Sequence, residues 1–396
     1  ADPHSQPTIT GNTFTGNTYP VKIYGRNIDN NLSGNTYSGN SAADNSSSDY
    51  IYVYGDGDDY RLSENKTYDW LKDGAPYRIM DDIHVWEDND NNQVAILKIY
   101  PQVTLAFNPS KYLYIGSTGD GDAGALQADS VTFTSVDSAS AWGQIRMRTY
   151  SRDDLTELNH CIIERAVDGI YCESANPTIT NNTIQNNTDG IYADPHSQPT
   201  ITGNTFTGNT RPVSVYAARI NNTISGNTYT GNTKDYIEVQ TDVIEDNGTF
   251  VWAKDNAPYV VVGDVTVKRN NSSSQLSTLQ IASGTTVKFK TGVDLFIGHE
   301  SSANYRGALI ATGVTFTSFD STGWPGIDFR NQAYDAGCLL DSCTIENATD
   351  GIYCSSSNPT ITNNTIRNNA DGIYADAGSQ PTITGNTFTG NTRPVS

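Results

Sequence analysis

PTITNNTIQNNTDGIY, residues 177–192, is followed at 199–210 by PTITGNTFTGNT, and the spacing within this stretch decides the fold. Pro177 and Pro199 are 22 residues apart, Asn204 and Asn227 are 23 apart, and Asp168 and Asp189 are 21 apart. Apolar residues such as Ile191, Ile201 and Phe206 stand among Thr, Asn and Gly, a pattern that suits short β segments joined by tight bends and does not suit a helix. One period is then one turn of a solenoid, with neighbouring turns stacked at the strand spacing of about 4.8 Å. The fold predicted is all-β, a right-handed parallel β-helix of about eighteen coils.

Asn positions follow the same period. Asn182, Asn204 and Asn227 fall in register, as do Asn187, Asn209 and Asn232, and later Asn364 with Asn386 and Asn369 with Asn391. Amides stacked at a bend can bond to one another and to the backbone along the axis, satisfying groups that a bend leaves unpaired. This is an asparagine ladder. It accounts for sequons such as the one at Asn181, while Asn45, Asn65 and Asn247 stand in loop-like stretches that suit glycosylation better.

A larger repeat contains the small one. ADPHSQPTITGNTFTGNT begins at Ala1 and again at Ala193, an offset of 192, and a near copy begins at Ala375, a further 182. From Trp70 onward the first offset also settles at 182, pairing Trp70 with Trp252, Trp142 with Trp324 and Cys161 with Cys343. The surplus lies in polar, turn-rich stretches between Asn40 and Trp70, as loops on a regular scaffold would. The expected organisation is one solenoid with a first unit at 1–192, a second at 193–374 and the start of a third at 375–396.

The series PTITNNTIQNNTDGIY, PTITGNTFTGNT and PTITNNTIRNNADGIY resembles the NosD-type repeats of the pectin-lyase-like β-helix superfamily, and the stretch from IASGTTVKFKTGVDLFIG to GVTFTSFDSTGWPGIDF resembles β-helix segments of large bacterial and archaeal surface proteins. Together they cover nearly the whole chain. The resemblance implies fold more than chemistry, because the superfamily holds lyases, hydrolases, epimerases, adhesins and surface-layer proteins.

Composition narrows the partners. With 44 acidic against 24 basic residues the formal charge is −20, which opposes nucleic acid and anionic membrane surfaces. No apolar run is long enough to span a membrane. Of five cysteines, Cys161 and Cys172 recur as Cys343 and Cys354 with the same spacing, the fifth being Cys338. A disulfide across half a turn and buried free thiols are both compatible with that spacing. Zinc and redox chemistry are not expected, since no C-x-x-C occurs. Copper handling, suggested by the NosD name, is poorly served by five His and two Met, Met80 and Met147.

The DGIY turns stack Asp168 on Asp189 and Asp350 on Asp371, so each like-charged pair needs water or a cation, and calcium is the cofactor that hard oxygen ligands would suit. Further acidic clusters lie at Asp56, Asp58 and Asp59, at Asp88 and Asp90 (followed by Asn92), and at Asp120 and Asp122. The second unit has Asn270, Ser272 and Ser274 where a calcium loop at Asp88 would repeat. The catalytic sets of β-helix lyases and glycosidases are not found in the sequence: Asn187, Thr188 and Asp189 match a hydrolase signature by letters alone, and His4 and His196 give way to Gly378 in the third copy. Tyr171, Tyr192, Tyr353 and Tyr374 recur after each turn and face outward if the preceding Ile faces inward, which suits either sugar stacking or plain strand formation. The expectation is an extracellular or cell-surface structural or adhesive protein, not an enzyme, associating with itself through β-helix ends, with glycans as further partners; the rival is a polysaccharide-binding or polysaccharide-degrading enzyme.

Overall fold

The computed structural model describes residues 5–41, 49–55, 61–87, 93–119, 121–245, 248–270, 275–300 and 304–396. The chain is an all-β, right-handed parallel solenoid of about 14 turns. Only three short 3-10 segments, Gly25–Asn27, Ala217–Arg219 and Asp335–Gly337, interrupt the strands among the described residues. By packing it divides into two compact units, Ala1–Val213 with Asn227–Asp235 and Ser214–Gly226 with Tyr236–Ser396. The division falls later than the sequence-repeat boundary at 192, because a repeat marks where the pattern restarts and a unit marks where contacts concentrate.

About eighteen coils were expected and about 14 are present. The 22-residue period holds where Thr178 lies opposite Thr200. In the stretch before it the coils are larger: Tyr77 lies opposite Leu105 and Leu105 opposite Phe133, 28 residues per coil. Leu113 opposite Ile145 makes 32. The second unit repeats these sizes, with Tyr259 opposite Val287 and Leu295 opposite Ile327. The extra residues lengthen strands such as Ala123–Asp129, against Thr178–Thr180 in the small coils, and the loops between strands, where a solenoid accepts them without losing the stack.

Alternation along each strand sends one set of side chains inward. In the first unit Ile83, Leu113, Ile145, Ile170 and Ile191 stack coil upon coil and are fully buried. Aromatic pairs fill the wider coils: Phe107 stacks on Trp142 with centroids 4.3 Å apart, and Phe289 on Trp324 at 4.2 Å. Each indole N–H finds an acceptor, Glu164 O at 2.8 Å and Glu346 O at 3.1 Å. Burying an aromatic ring and pairing its polar atom together satisfy what a core position demands.

The two Asn ladders form two corners of the small coils, one before and one after strands such as Thr183–Gln185. Asn182 donates from its backbone N–H and from Nδ2 to Oδ1 of Asn204, at 2.9 and 3.0 Å. Asn204 does the same to Asn227, at 2.9 and 3.2 Å. The parallel ladder runs from Asn187 through Asn209 to Asn232, and the second unit repeats both with Asn364 to Asn386 and Asn369 to Asn391. The residue before each ladder Asn has a left-handed backbone: Asn181 at φ 57° and Gly203 at φ 67°. That explains the Asn-Asn and Gly-Asn pairs, since Asn and Gly tolerate this conformation best.

The ladders have distinct ends. At the start, Cys161 and Ala166 offer only a backbone N–H, to Asn182 at 2.8 Å and Asn187 at 2.9 Å. At the finish stands a carboxylate: Asn232 gives both its N–H and its Nδ2 to Asp235, and Asn35 and Asn40 give theirs to Asp73 and Asp49. Asn364 is met from below in the same way, by the Cys343 N–H.

All five cysteines are free and buried. Neither Cys161–Cys172 nor Cys343–Cys354 is joined: Cys161 Sγ donates at the corner to Ala128 O and Asn159 O, while Cys172 lies on the strand Asp168–Cys172. Burial pushes the Cys161 thiol up to about 12. Of the disulfide and free-thiol alternatives the second is realised.

Candidate functional site

One outward column in each unit gathers aromatic, basic and acidic side chains. In the first unit the strands Ile83–Val85, Leu113–Ile115, Ile145–Met147, Asp168–Cys172 and Asp189–Ala193 are stacked in order. Because inward Ile and Leu fix the alternation, His84, Tyr114, Arg146, Tyr171 and Tyr192 share one outward row. His84 meets Tyr114 at 5.0 Å between centroids, Arg146 lies 4.8 Å over the ring of Tyr171, and Tyr171 stacks on Tyr192 at 5.1 Å. Two residues along, Arg148 covers the ring of Tyr114 at 3.9 Å. Tyr112 stacks beside Tyr114 at 5.3 Å.

In the second unit the matching row is Thr266, Phe296, Asp328, Tyr353 and Tyr374. Tyr353 stacks on Tyr374 at 5.2 Å, and Arg330 covers Phe296 at 3.5 Å as Arg148 covers Tyr114. At the positions of Tyr112, Gln144 and Arg146, however, stand Asp294, Gly326 and Asp328. The register slips between Gly326 and Ile327, a bulge that Gly326 accommodates at φ 138°. An open pocket of about 200 Å³ lies there, lined by Asp294, Gly326, Asp328, Asp350 and Tyr353 among others. Burial, then the nearby Asp264 and Asp328, push the Asp294 carboxyl up to about 6. Asp328 and Asp350 are also raised, in both cases chiefly by burial, and Asp328 Oδ1 is buried without a hydrogen-bond partner. Carboxyls whose pKa is raised in a pocket can serve as proton donors or acceptors.

The stacked aspartates sit beside these rows. Asp168 lies opposite Asp189, and Asp350 opposite Asp371. The cation that meets each pair is a guanidinium one coil later: Arg211 forks onto both carboxylate oxygens of Asp189, and Arg393 onto those of Asp371. A fork of two charge-assisted bonds satisfies the buried Asp189 and Asp371 directly. Burial, then the neighbouring Asp189, push the Asp168 carboxyl up to about 6. Among the described residues no group of three or more His, Cys, Asp or Glu is arranged to hold a metal ion.

Other expected sites are scattered. Asp88, Asp90 and Asn92, with Asp56, Asp58, Asp59 and Asp120, lie outside the described residues, as do Asn45, Asn247, Ser272, Ser274 and His4. Asp122 is buried, and Asn65 is exposed with Oδ1 accepting the Val94 N–H at 3.2 Å. His196 lies at an exposed bend held by Asp194. The sequence reading missed Arg146, Arg148, Asp294 and Asp328. Aligning the copies at the offset of 182 carries their signal, because Arg146 becomes Asp328 within an otherwise repeated frame.

A family model described as right handed beta helix region matches residues 121–271 and 297–395. No curated protein and no solved structure matches the chain. No helix among the described residues is long and apolar enough to cross a membrane.

Proposed function

The chain belongs to the right-handed β-helix family, and from that fold we propose an extracellular, adhesive repeat protein that grips an extended glycan on the outward column of each unit. The observation that carries this is the stacked tyrosine pair, Tyr171 with Tyr192 and Tyr353 with Tyr374, kept in both copies on half-exposed positions. Parallel strands set such rings about 5 Å apart along a fixed line, close to what successive sugar faces can cover, with charged groups beside them for hydroxyls. The same reading has the protein outside the cell or on its surface, and associating with further copies of itself through coil ends.

The test is binding of the full chain to a panel of soluble polysaccharides, with Tyr171→Ala/Tyr192→Ala and Tyr353→Ala/Tyr374→Ala as variants. Retention of one or more polysaccharides, weakened about tenfold in the variants, supports the reading. Failure to retain any polysaccharide ends it.

One observation favours a second reading, hydrolysis of a glycosidic bond in the second unit: the pocket where Asp294, Asp328 and Asp350 converge with raised carboxyls. New reducing ends released by the wild type and not by Asp350→Asn would establish it. Their absence across the retained polysaccharides would leave binding as the whole activity.

A further inference from the structure

Asp194, Pro195, His196 and Ser197 close a turn between the strands Asp189–Ala193 and Thr200–Thr202. The Ser197 N–H donates to the Asp194 main-chain carbonyl at 3.0 Å, a β-turn with proline at its second position. The Asp194 carboxylate folds back over the same turn. Its Oδ1 accepts the His196 N–H at 2.9 Å and the Ser197 hydroxyl at 2.8 Å, and its Oδ2 accepts the Ser174 N–H at 3.1 Å. Pro195 and His196 are exposed, so water reaches the peptide bond between Asp194 and Pro195. The third copy makes the same turn from different residues. Asp376 accepts the Gly378 N–H at 3.0 Å and the Ser379 hydroxyl at 2.8 Å, and its carbonyl accepts the Ser379 N–H at 3.0 Å, but Ala377 and Gly378 stand in place of Pro195 and His196.

An aspartate can attack its own main-chain carbonyl carbon through a five-membered ring, and proline is the leaving group that favours it most, because its tertiary amide nitrogen takes a proton more readily than a secondary one. A carboxylate already held over the bond needs no further search for that geometry. We propose that the bond between Asp194 and Pro195 is a self-cleavage site. Asp194 Oδ2 adds to the Asp194 carbonyl carbon, whose oxygen the Ser197 N–H polarises. The C–N bond breaks, and its electron pair takes a proton from the His196 imidazolium, releasing Pro195 as a new amino terminus. One water molecule opens the cyclic anhydride left on Asp194, restoring the side chain and leaving an α-carboxylate. The sum is hydrolysis of one peptide bond with water as the one co-reactant. Carboxylate and imidazolium coexist in mildly acidic solution, which is where the cut belongs. The strands on either side remain paired, Ile191 opposite Ile170 and Thr200 opposite Thr178, so a cut chain keeps its stack.

The experiment is incubation of the native full chain at about pH 5.5 and about pH 8, with denaturation before mass spectrometry because the halves stay associated. Fragments 1–194 and 195–396 should accumulate at the lower pH, roughly tenfold or more faster than at the higher one, and faster by a similar factor than in the lower-pH buffer with denaturant. A cut at the other Asp–Pro bond, between Asp2 and Pro3, removes only Ala1 and Asp2 and is not mistaken for this one. Asp194→Asn and Pro195→Ala should abolish the cut, the second by recreating a turn that the third copy already folds. His196→Gln should slow it about tenfold at the lower pH. Excess hydroxylamine should be captured on Asp194 as a hydroxamate, the mark of an anhydride. An intact native chain overturns the proposal. Cleavage equally fast in denaturant does so too, since that is the ordinary lability of the bond, as does an equal rate between Asp376 and Ala377. Ends formed without hydroxamate overturn the anhydride route.

Discussion

Asn204 makes plain how much a single corner residue does. Its Oδ1 accepts two bonds from Asn182, and its Nδ2 donates to Ile179 O at 2.9 Å, all out of contact with water. Asn204→Ala strips buried partners from three groups at once, and with about 1–3 kcal/mol for each unsatisfied group the loss should be ~3 kcal/mol or more. Thermal unfolding followed by far-ultraviolet circular dichroism should register a lower midpoint; an unchanged midpoint would refute the cooperative ladder. Asp168 behaves in the opposite sense. Its carboxyl holds a proton more tightly folded, with a pKa of about 6, than unfolded, where the value is about 3.9. Its contribution to stability is therefore full below the unfolded value and is lost as pH rises through about 6. Asp168→Asn keeps a donor for Asp189 and has no proton to lose, so its melting temperature should exceed that of the wild type at pH 7.5 and converge with it near pH 4. A variant that melts lower at both pH values would sink this account.

Strand Trp324–Phe329 contains the bulge that opens the second unit's pocket, and the backbone there tolerates only glycine. A Cβ on Gly326 would lie 1.7 Å from Asp350 O, at a φ of 138° that L-residues rarely adopt. Gly326→Ala should lower the melting temperature and speed amide hydrogen exchange across the strand, a substitution of the severe class. Exchange rates equal to wild type would mean that the bulge is not fixed by this residue. How much of such local structure is legible in sequence depends on whether stacking enforces it. Ladder asparagines and paired tyrosines are visible at 177–192 because each coil must present the same group to the next at a spacing of 21 to 23. Arg211 follows Asp189 at that same spacing, so this pairing too is legible in the sequence. The wider coils were not legible, since their loops vary in length and Asn no longer marks the corner. Asp294 and Asp328 meet only because a bulge shifts register at Gly326, which no periodicity encodes.

Across the molecule, chemistry and scaffold are kept apart. All five thiols are buried, and each has its pKa raised chiefly by burial. A thiol-specific aromatic disulfide reagent should therefore label none in the native chain at neutral pH and all five in denaturant. Rapid labelling of Cys161 before unfolding would contradict the closed corner. The charged and aromatic groups of the candidate site, by contrast, lie on one outward column of each unit, where they can change from copy to copy without disturbing the stack, as the exchange of Arg146 for Asp328 illustrates. The carboxylate at the finish of the ladder gives the array a direction. Every internal rung both gives and takes, so a coil placed between two Asn rungs meets matching neighbours above and below, whereas the Asp235 rung takes and does not give. Unequal recombination can therefore lengthen or shorten the array at its interior while the terminating coil stays put, and the protein carries in its corners the rule by which its own length can evolve.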